Sequence, residues 1–209
     1  MTRLVFTIGH STHLLSHFID LLEKHRITAV ADVRSSPYSR MNPQFNREHL
    51  SESLGCHRIQ YVFLGRELGA RSDDPACYDD DQVQYDRLAE TELFHSGIER
   101  VQRGASSHQI ALACAEKDPI QCHRTILVSK HLIESGLEVQ HIMADGSLES
   151  HAAAMRRLME SLRMAPGDLF KSDEALMAEA YDRQAHRIAY RRRVEGGAYD
   201  RDVAERADE

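Results

Sequence analysis

Residues 109–124 read QIALACAEKDPIQCHR, and the way this stretch divides decides the fold. Residues 109–114 form a short, nearly continuous run of small and apolar side chains. Such a run suits a strand buried on both faces, as in a parallel sheet covered by helices. Asp118 then has the chemistry of a helix N-cap, and Pro119 suits the first helical position. The pattern predicts a helix over 119–135, closed by Gly136, and a further strand at 139–143.

The same alternation recurs upstream. LVFTIG (4–9) is strand-like and is followed by Leu14, Leu15, Phe18, Leu21 and Leu22 at helical spacing. ITAVADV (27–33) and IQYVFL (59–64) are strand-like again. NREHLSESLG (46–55) reads as a short helix stopped by Gly55, and 85–103 as a helical stretch. Strands alternating with helices imply an α/β fold, with a single mainly parallel β-sheet flanked by helices in Rossmann-like or rhodanese-like layering. After Ser147 the pattern becomes charged and helical in LESHAAAMRRLMESLR (148–163) and DEALMAEAYDRQAHRIAYRRR (173–193), with MAPGDLF (164–170) between them. The expected organisation is an α/β domain over 1–147, a helical C-terminal extension over 148–192 and a disordered tail over 193–209. The extension is expected to pack on the domain or on a second copy in a homodimer.

Composition narrows the class. The 209 residues, 42% of them apolar, suffice for one substantial core. Lys and Arg total 26 against 33 Asp and Glu, a formal charge of −7, so a general attraction to nucleic acid is not implied. Any polyanion would have to be met by a local basic site. No stretch reaches the roughly 20 apolar residues of a membrane span, and the opening residues do not read as a secretory leader. The cysteines Cys56, Cys77, Cys114 and Cys122 are too few and too irregular for a secreted disulfide framework. A cytoplasmic setting with no membrane partner is expected.

Ligands of open parallel sheets bind at the carboxyl ends of the strands. There the first strand delivers His10 and Ser11, the second Asp32 and Arg34 followed by Ser39, and the fourth Cys114 and Glu116. Cys122, His123 and Arg124 fall at the start of the predicted helix, where free amides favour anions and lower thiol pKa values. Arg34 and Arg124 are candidate anion binders, and His10 and His123 candidate proton carriers. Asp32 or Glu116 would orient a histidine or act as base, and Cys114 or Cys122 would be the nucleophile. Blander readings stand beside these: the thiols as core residues, and Asp32 with Arg34 as a structural ion pair on one sheet face. The same tripeptide also occurs as Cys56-His57-Arg58, between a helix end and a strand start, and reads as a coincidence.

Several chemistries are excluded or weakened by spacing. A cysteine phosphatase loop needs arginine six positions after the cysteine, where Cys114 has Ile120 and Cys122 has Val128. A rhodanese-like loop cradles its anion with backbone amides, and CAEKDPIQ has no glycine to ease that turn. Cys114, Glu116, Cys122 and His123 could hold zinc or iron only if the loop folds back onto the helix. No cofactor is otherwise expected, and no P-loop or dinucleotide fingerprint is present.

TIGHS (7–11), DVRSSPYSR (32–40), LGRELG (64–69) and CAEKDPIQCHR (114–124) together resemble the signature blocks of the bacterial and archaeal family called domain of unknown function 488. The resemblance covers about residues 4–145. It implies importance for His10, Ser11, Asp32, Arg34, Pro37, Ser39, Arg40, Tyr61, Gly65, Cys114, Glu116, Cys122, His123 and Arg124. On that emphasis Ser11, Ser39 and Arg40 join the expected ligand-binding set. Arg66 departs from the family pattern, which often has a second glycine there. The expected function is an enzyme binding an anionic ligand, whether phosphate-bearing, nucleotide or nucleic-acid-derived. Alternatives are a cysteine-dependent sulfurtransferase or redox protein, and a metal-stabilised binding module without catalysis.

Overall fold

The computed structural model describes residues 3–164 and 171–192. The expected tail at 193–209, and most of the 164–170 spacer, lie outside the described residues. The strands are β1 (Leu4–Gly9), β2 (Ala29–Asp32), β3 (Gln60–Phe63), β4 (Tyr78–Asp79), β5 (Gln82–Val83), β6 (Ile110–Cys114), β7 (Glu138–Ile142) and β8 (Leu148–Ser150). The helices are α1 (Leu15–Lys24), α2 (Arg47–Cys56), α3 (Gly65–Leu68), α4 (Tyr85–Ala89), α5 (Glu92–Gly104), α6 (Lys130–Glu134), α7 (His151–Ser161) and α8 (Asp173–Ile188).

The fold is α/β. One six-stranded sheet has the order β3-β2-β6-β1-β7-β8, all parallel except β8. Every residue of β6 is buried, which explains its unbroken apolar run. Alternate side chains serve two cores. Phe6, Ile8, Val30, Ala111 and Ala113 face Phe18, Leu22, Leu50 and Leu54 of α1 and α2. Ala31, Ile110, Leu112 and Val139 face Phe94 and Val101 of α5, Leu132 of α6, Leu158 of α7 and Leu176 of α8. The C-terminal helices therefore close the core of the sheet itself.

Topology places the site. The chain leaves β2 towards β3 on one side and leaves β6 towards β7 on the other. A crevice opens where neighbouring strands part in this way.

Four local expectations need correction. Residues 148–150 are not helical but form β8, antiparallel to β7 after a turn in which Gly146 has φ +77°. Three residues are too few to show strand alternation. Helix α2 runs through Gly55 to Cys56, and the left-handed stop residue is Arg58 at φ +59°. The stretch 85–103 breaks at Thr91, whose hydroxyl caps α5 by accepting the amide of Phe94. Finally, 119–135 is not one helix. A single 3-10 turn, Pro119–Gln121, is capped by Asp118, and Cys122 is extended at φ −134° and ψ 140°. A wide π-helical segment, Arg124–Ser129, then leads into α6. Among the described residues, no helix is long and apolar enough to cross a membrane.

Candidate functional site

The backbone at the end of β1 creates the site. A Cβ on Gly9 would lie 1.9 Å from the Glu116 carbonyl oxygen, so only glycine admits that close approach. The ladder continues past the strands, with His10 N–H donating to Cys114 O and Ser11 N–H to Ala115 O, both at 2.9 Å. Arg124 then draws the loop down. Its Nη1 donates to Glu116 O at 2.6 Å, its Nη2 to Lys117 O at 3.3 Å and its Nε to Thr7 Oγ1 at 3.3 Å. The loop after β6 thus folds back onto the segment that follows it. Extended Cys122 turns its sulfur towards the same point.

Four side chains converge there. The Sγ of Cys114 and of Cys122, Nδ1 of His123 and a carboxylate oxygen of Glu116 all lie within 4.8 Å of one another. Each thiol lies 2.9 Å from Glu116 Oε2. His123 Nδ1 is 3.7 Å from Cys114 Sγ and 3.9 Å from Cys122 Sγ. His123 Nε2 is 3.0 Å from Val33 O, an obligate acceptor, so the Nε2 position carries a proton. Glu116 is exposed on its outer side while its carboxylate turns inward to the sulfurs.

Burial is the largest influence on all four groups. It pushes the Cys114 thiol well up, helped by Cys122 and Glu116. Burial also acts upward on Cys122, but the bond from Cys114 and the charges of Arg124 and His123 outweigh it and hold that thiol well below its ordinary range. The Glu116 carboxyl is raised by burial and by Cys122. His123 is raised because Cys122 and Glu116 outweigh the opposing effect of burial. Cys122 Sγ also receives the Arg124 backbone N–H at 3.5 Å.

Three of the four side chains reach a recess of about 400 Å³. Cys114, Glu116 and His123 line it below, Arg34 and Arg71 at the wall, and Tyr85 and Tyr190 at the side. A hollow of about 570 Å³ between α4, α6 and α8 shares only Tyr85 with this recess.

A second polar group is centred on Asp32 and reaches the recess through Arg34. Asp32 is 0% exposed. Its Oδ1 accepts from Arg34 N and Nε, and its Oδ2 from Arg34 Nη2 at 2.5 Å and Tyr61 O–H at 2.8 Å. Asp32 therefore positions Arg34 and orients no histidine. His10 is stacked on Phe45 at 4.3 Å, with Nδ1 on Ser11 O and Nε2 facing Arg34 Nη1 at 3.3 Å. Burial lowers its pKa to about 4, and the charge of Arg34 adds to that. It is a neutral support for the guanidinium, not a proton carrier at neutral pH.

The geometry thus brings Cys114, Glu116, Cys122 and His123 together near Arg34, while Asp32 and His10 meet the recess only through Arg34, and Ser11, Ser39 and Arg40 do not line it. Arg124 is a correction: it is 0% exposed, and its donors hold the loop instead of facing a ligand. Ser11 takes a left-handed turn at φ +46° beside β1, away from the recess. Ser39 Oγ accepts Asn42 N–H within its own loop. Arg40 is exposed and does not line the recess. Arg66 is exposed on α3 and does not line the recess, and the tight contact there is at Gly65, where a Cβ would lie 1.9 Å from Arg34 O.

Sequence reasoning missed Arg71, Tyr85, Gln121 and Tyr190 in the wall. Tyr190 arrives from beyond α8 through a bridge between Arg191 and Gln82, and Arg71 stacks over its ring at 4.1 Å. No local pattern encodes that return. Asp118 and Ile120 of the loop are also braced from the C-terminal helices. Arg157 of α7 makes two bonds to Asp118, and buried Gln184 of α8 donates to Ile120 O at 2.7 Å.

The residues that build this loop and rim are those of the signature blocks, and the family described as Domain of unknown function DUF488 matches residues 14–130. The chain belongs to that family. The matched region ends within α6, so α7 and α8, which brace the loop, lie beyond it. No curated protein and no solved structure matches the chain.

Proposed function

We propose that this member of the family is an enzyme acting on a small phosphate-bearing molecule of nucleotide size, held over the Cys114–Glu116–Cys122–His123 cluster. One observation carries the reading: of four reactive side chains within 4.8 Å of one another, Cys114, Glu116 and His123 line a recess that Arg34 and Arg71 also line. Its volume of about 400 Å³ suits a small ligand. Arg71 and the Nη1 edge of Arg34 supply cationic donors for phosphate oxygens. Tyr85 and Tyr190 supply flat apolar walls for a ring. Glu116, the exposed member of the cluster, stands where a proton could be passed, and Asp32, His10 and Arg124 act as positioning residues.

Calorimetry with nucleosides and their mono- and diphosphates tests this. Phosphorylated forms should bind and nucleosides should not. Arg71→Ala, at an exposed position, should weaken binding about tenfold, the loss of one charge-assisted contact, with the far-UV spectrum unchanged. Equal binding of nucleosides and nucleotides, or an unchanged affinity in that variant, overturns the proposal.

A second reading, sulfur transfer or redox chemistry, is favoured by one observation, two buried thiols within 4.8 Å of each other beside His123. Rapid stoichiometric alkylation of Cys122 at neutral pH supports it, and inert thiols contradict it.

A further inference from the structure

Two features of the cluster point to a shared ligand at its centre. Both sulfurs approach the same Glu116 oxygen at 2.9 Å and the same His123 nitrogen at 3.7 and 3.9 Å. Neither sulfur has a side-chain partner of its own. The arrangement is that of four donor atoms around a common centre. Separately, Arg124 is a fully buried guanidinium whose bonds go only to two carbonyls and a hydroxyl. A buried charge is costly unless an opposite charge lies close by.

We propose that Cys114, Cys122, His123 and Glu116 bind a single zinc ion. The proposal rests on the reading that this recess holds the reaction centre, and adds the identity of the group that does the chemistry. Tetrahedral zinc has bonds of about 2.3 Å to sulfur and about 2.0 Å to nitrogen, which separates neighbouring S and N ligands by roughly 3.5 Å. The observed S–N separations are close to that. Two thiolates and an imidazole select zinc over the oxygen-seeking cations. The surroundings are those of a metal centre. His123 donates its other ring N–H to Val33 O, fixing Nδ1 as the ligand atom, and a backbone amide donates to Cys122 Sγ. Two thiolates, one carboxylate and Zn²⁺ sum to one negative charge, which Arg124 balances.

The ion would be accessible from one side. Cys114 and Cys122 are buried, whereas Glu116 is exposed and lines the recess. The carboxylate is therefore the ligand that gives way, leaving a position for a phosphate oxygen or a water. Zinc there supplies Lewis-acid polarisation of a bound oxygen or an activated water.

The test is elemental analysis of the full chain purified without chelators, followed by metal removal and reconstitution with cobalt(II). Stoichiometric zinc, lost in Cys122→Ser and kept in Cys56→Ser, is the expected result. Cobalt(II) should give thiolate charge-transfer absorption and the intense visible bands of a tetrahedral site, a readout on the wild-type chain that does not depend on a variant folding. Zinc well below stoichiometric together with no cobalt bands overturns the proposal, as does zinc that survives Cys122→Ser. The phosphate-ligand calorimetry is a separate measurement. Stoichiometric zinc with phosphate binding absent or unchanged in Arg71→Ala removes the substrate reading alone, and Arg71-dependent phosphate binding by a chain that purifies without zinc and gives no cobalt bands removes the metal alone.

Discussion

The chain contains the same tripeptide twice, and the two copies have nothing in common but their letters. Cys56-His57-Arg58 ends α2 at the surface: the cysteine is exposed, His57 pairs with Glu23, and Arg58 turns the chain with φ +59°. Cys122-His123-Arg124 lies beneath the crevice between β2 and β6, with all three residues buried. Each of its side chains reaches a different part of the rim: Cys122 reaches Glu116, His123 reaches Val33 and Arg124 reaches Thr7. Chemistry follows from what surrounds a residue, and what surrounds it follows from its position along the sheet edge.

Paired substitutions break this comparison most sharply at the arginines. Arg124→Ala leaves two carbonyls and a hydroxyl without their buried donor and should destabilise the fold by about 3–5 kcal/mol. Arg58→Ala should change stability by no more than about 0.5 kcal/mol. Urea unfolding measures both, and equal values for the two would refute the difference.

The buried histidines near the later copy give the next effect. Burial lowers His10 and His151 to about 4. Each is neutral in the folded chain between that value and the ordinary 6.5, whereas the unfolded chain binds a proton there. Stability from these sites is therefore complete above pH 6.5 and falls as pH drops towards 4, by up to about 3 kcal/mol for each. His151 Nδ1 faces His141 and its Nε2 faces Tyr181 O–H at 2.6 Å, so α8 is tied to this titration. Unfolding free energies measured from pH 7 to pH 4 should show the fall and should show less of it in His151→Gln. A flat profile contradicts the burial argument.

A smaller effect concerns the braces. Gln184→Ala removes the donor to Ile120 O and should cost about 1–3 kcal/mol. It should also loosen the 118–122 turn, read as faster amide exchange there. No such loosening should reach the 55–58 turn. The smallest expected effect on stability is at the thiols: Cys56 should react with a bulky alkylating reagent while Cys114 and Cys122 stay protected until the chain is treated with a chelator. Reaction of all three at one rate would remove the distinction between the copies.

Much of the sheet was legible because its strands are short, apolar and separated by helical spacing. The five parallel strands follow directly from the runs at 4–9, 27–33, 59–64, 109–114 and 139–143. Gathering Cys114, Glu116, Cys122 and His123 at one edge was legible for the same reason. The fold-back of the loop was not, because it depends on Arg124 reaching Glu116, Lys117 and distant Thr7. An exposed cation at a helix start and a buried one pinning a loop look alike in one dimension. Nor could local pattern show Tyr190 returning to the rim, since an isolated bridge pairs residues 82 and 191. Arg71, which no motif singles out, stacks on Tyr190 only because of that same return.

The most direct measurement is an anomalous difference map, collected on both sides of the zinc absorption edge, from crystals of the chain purified without chelators. The account predicts a peak between Cys114 Sγ, Cys122 Sγ and His123 Nδ1, with Glu116 beside it and the recess above. A map with no peak there, showing the two sulfurs joined to each other or simply hydrogen-bonded, would contradict it.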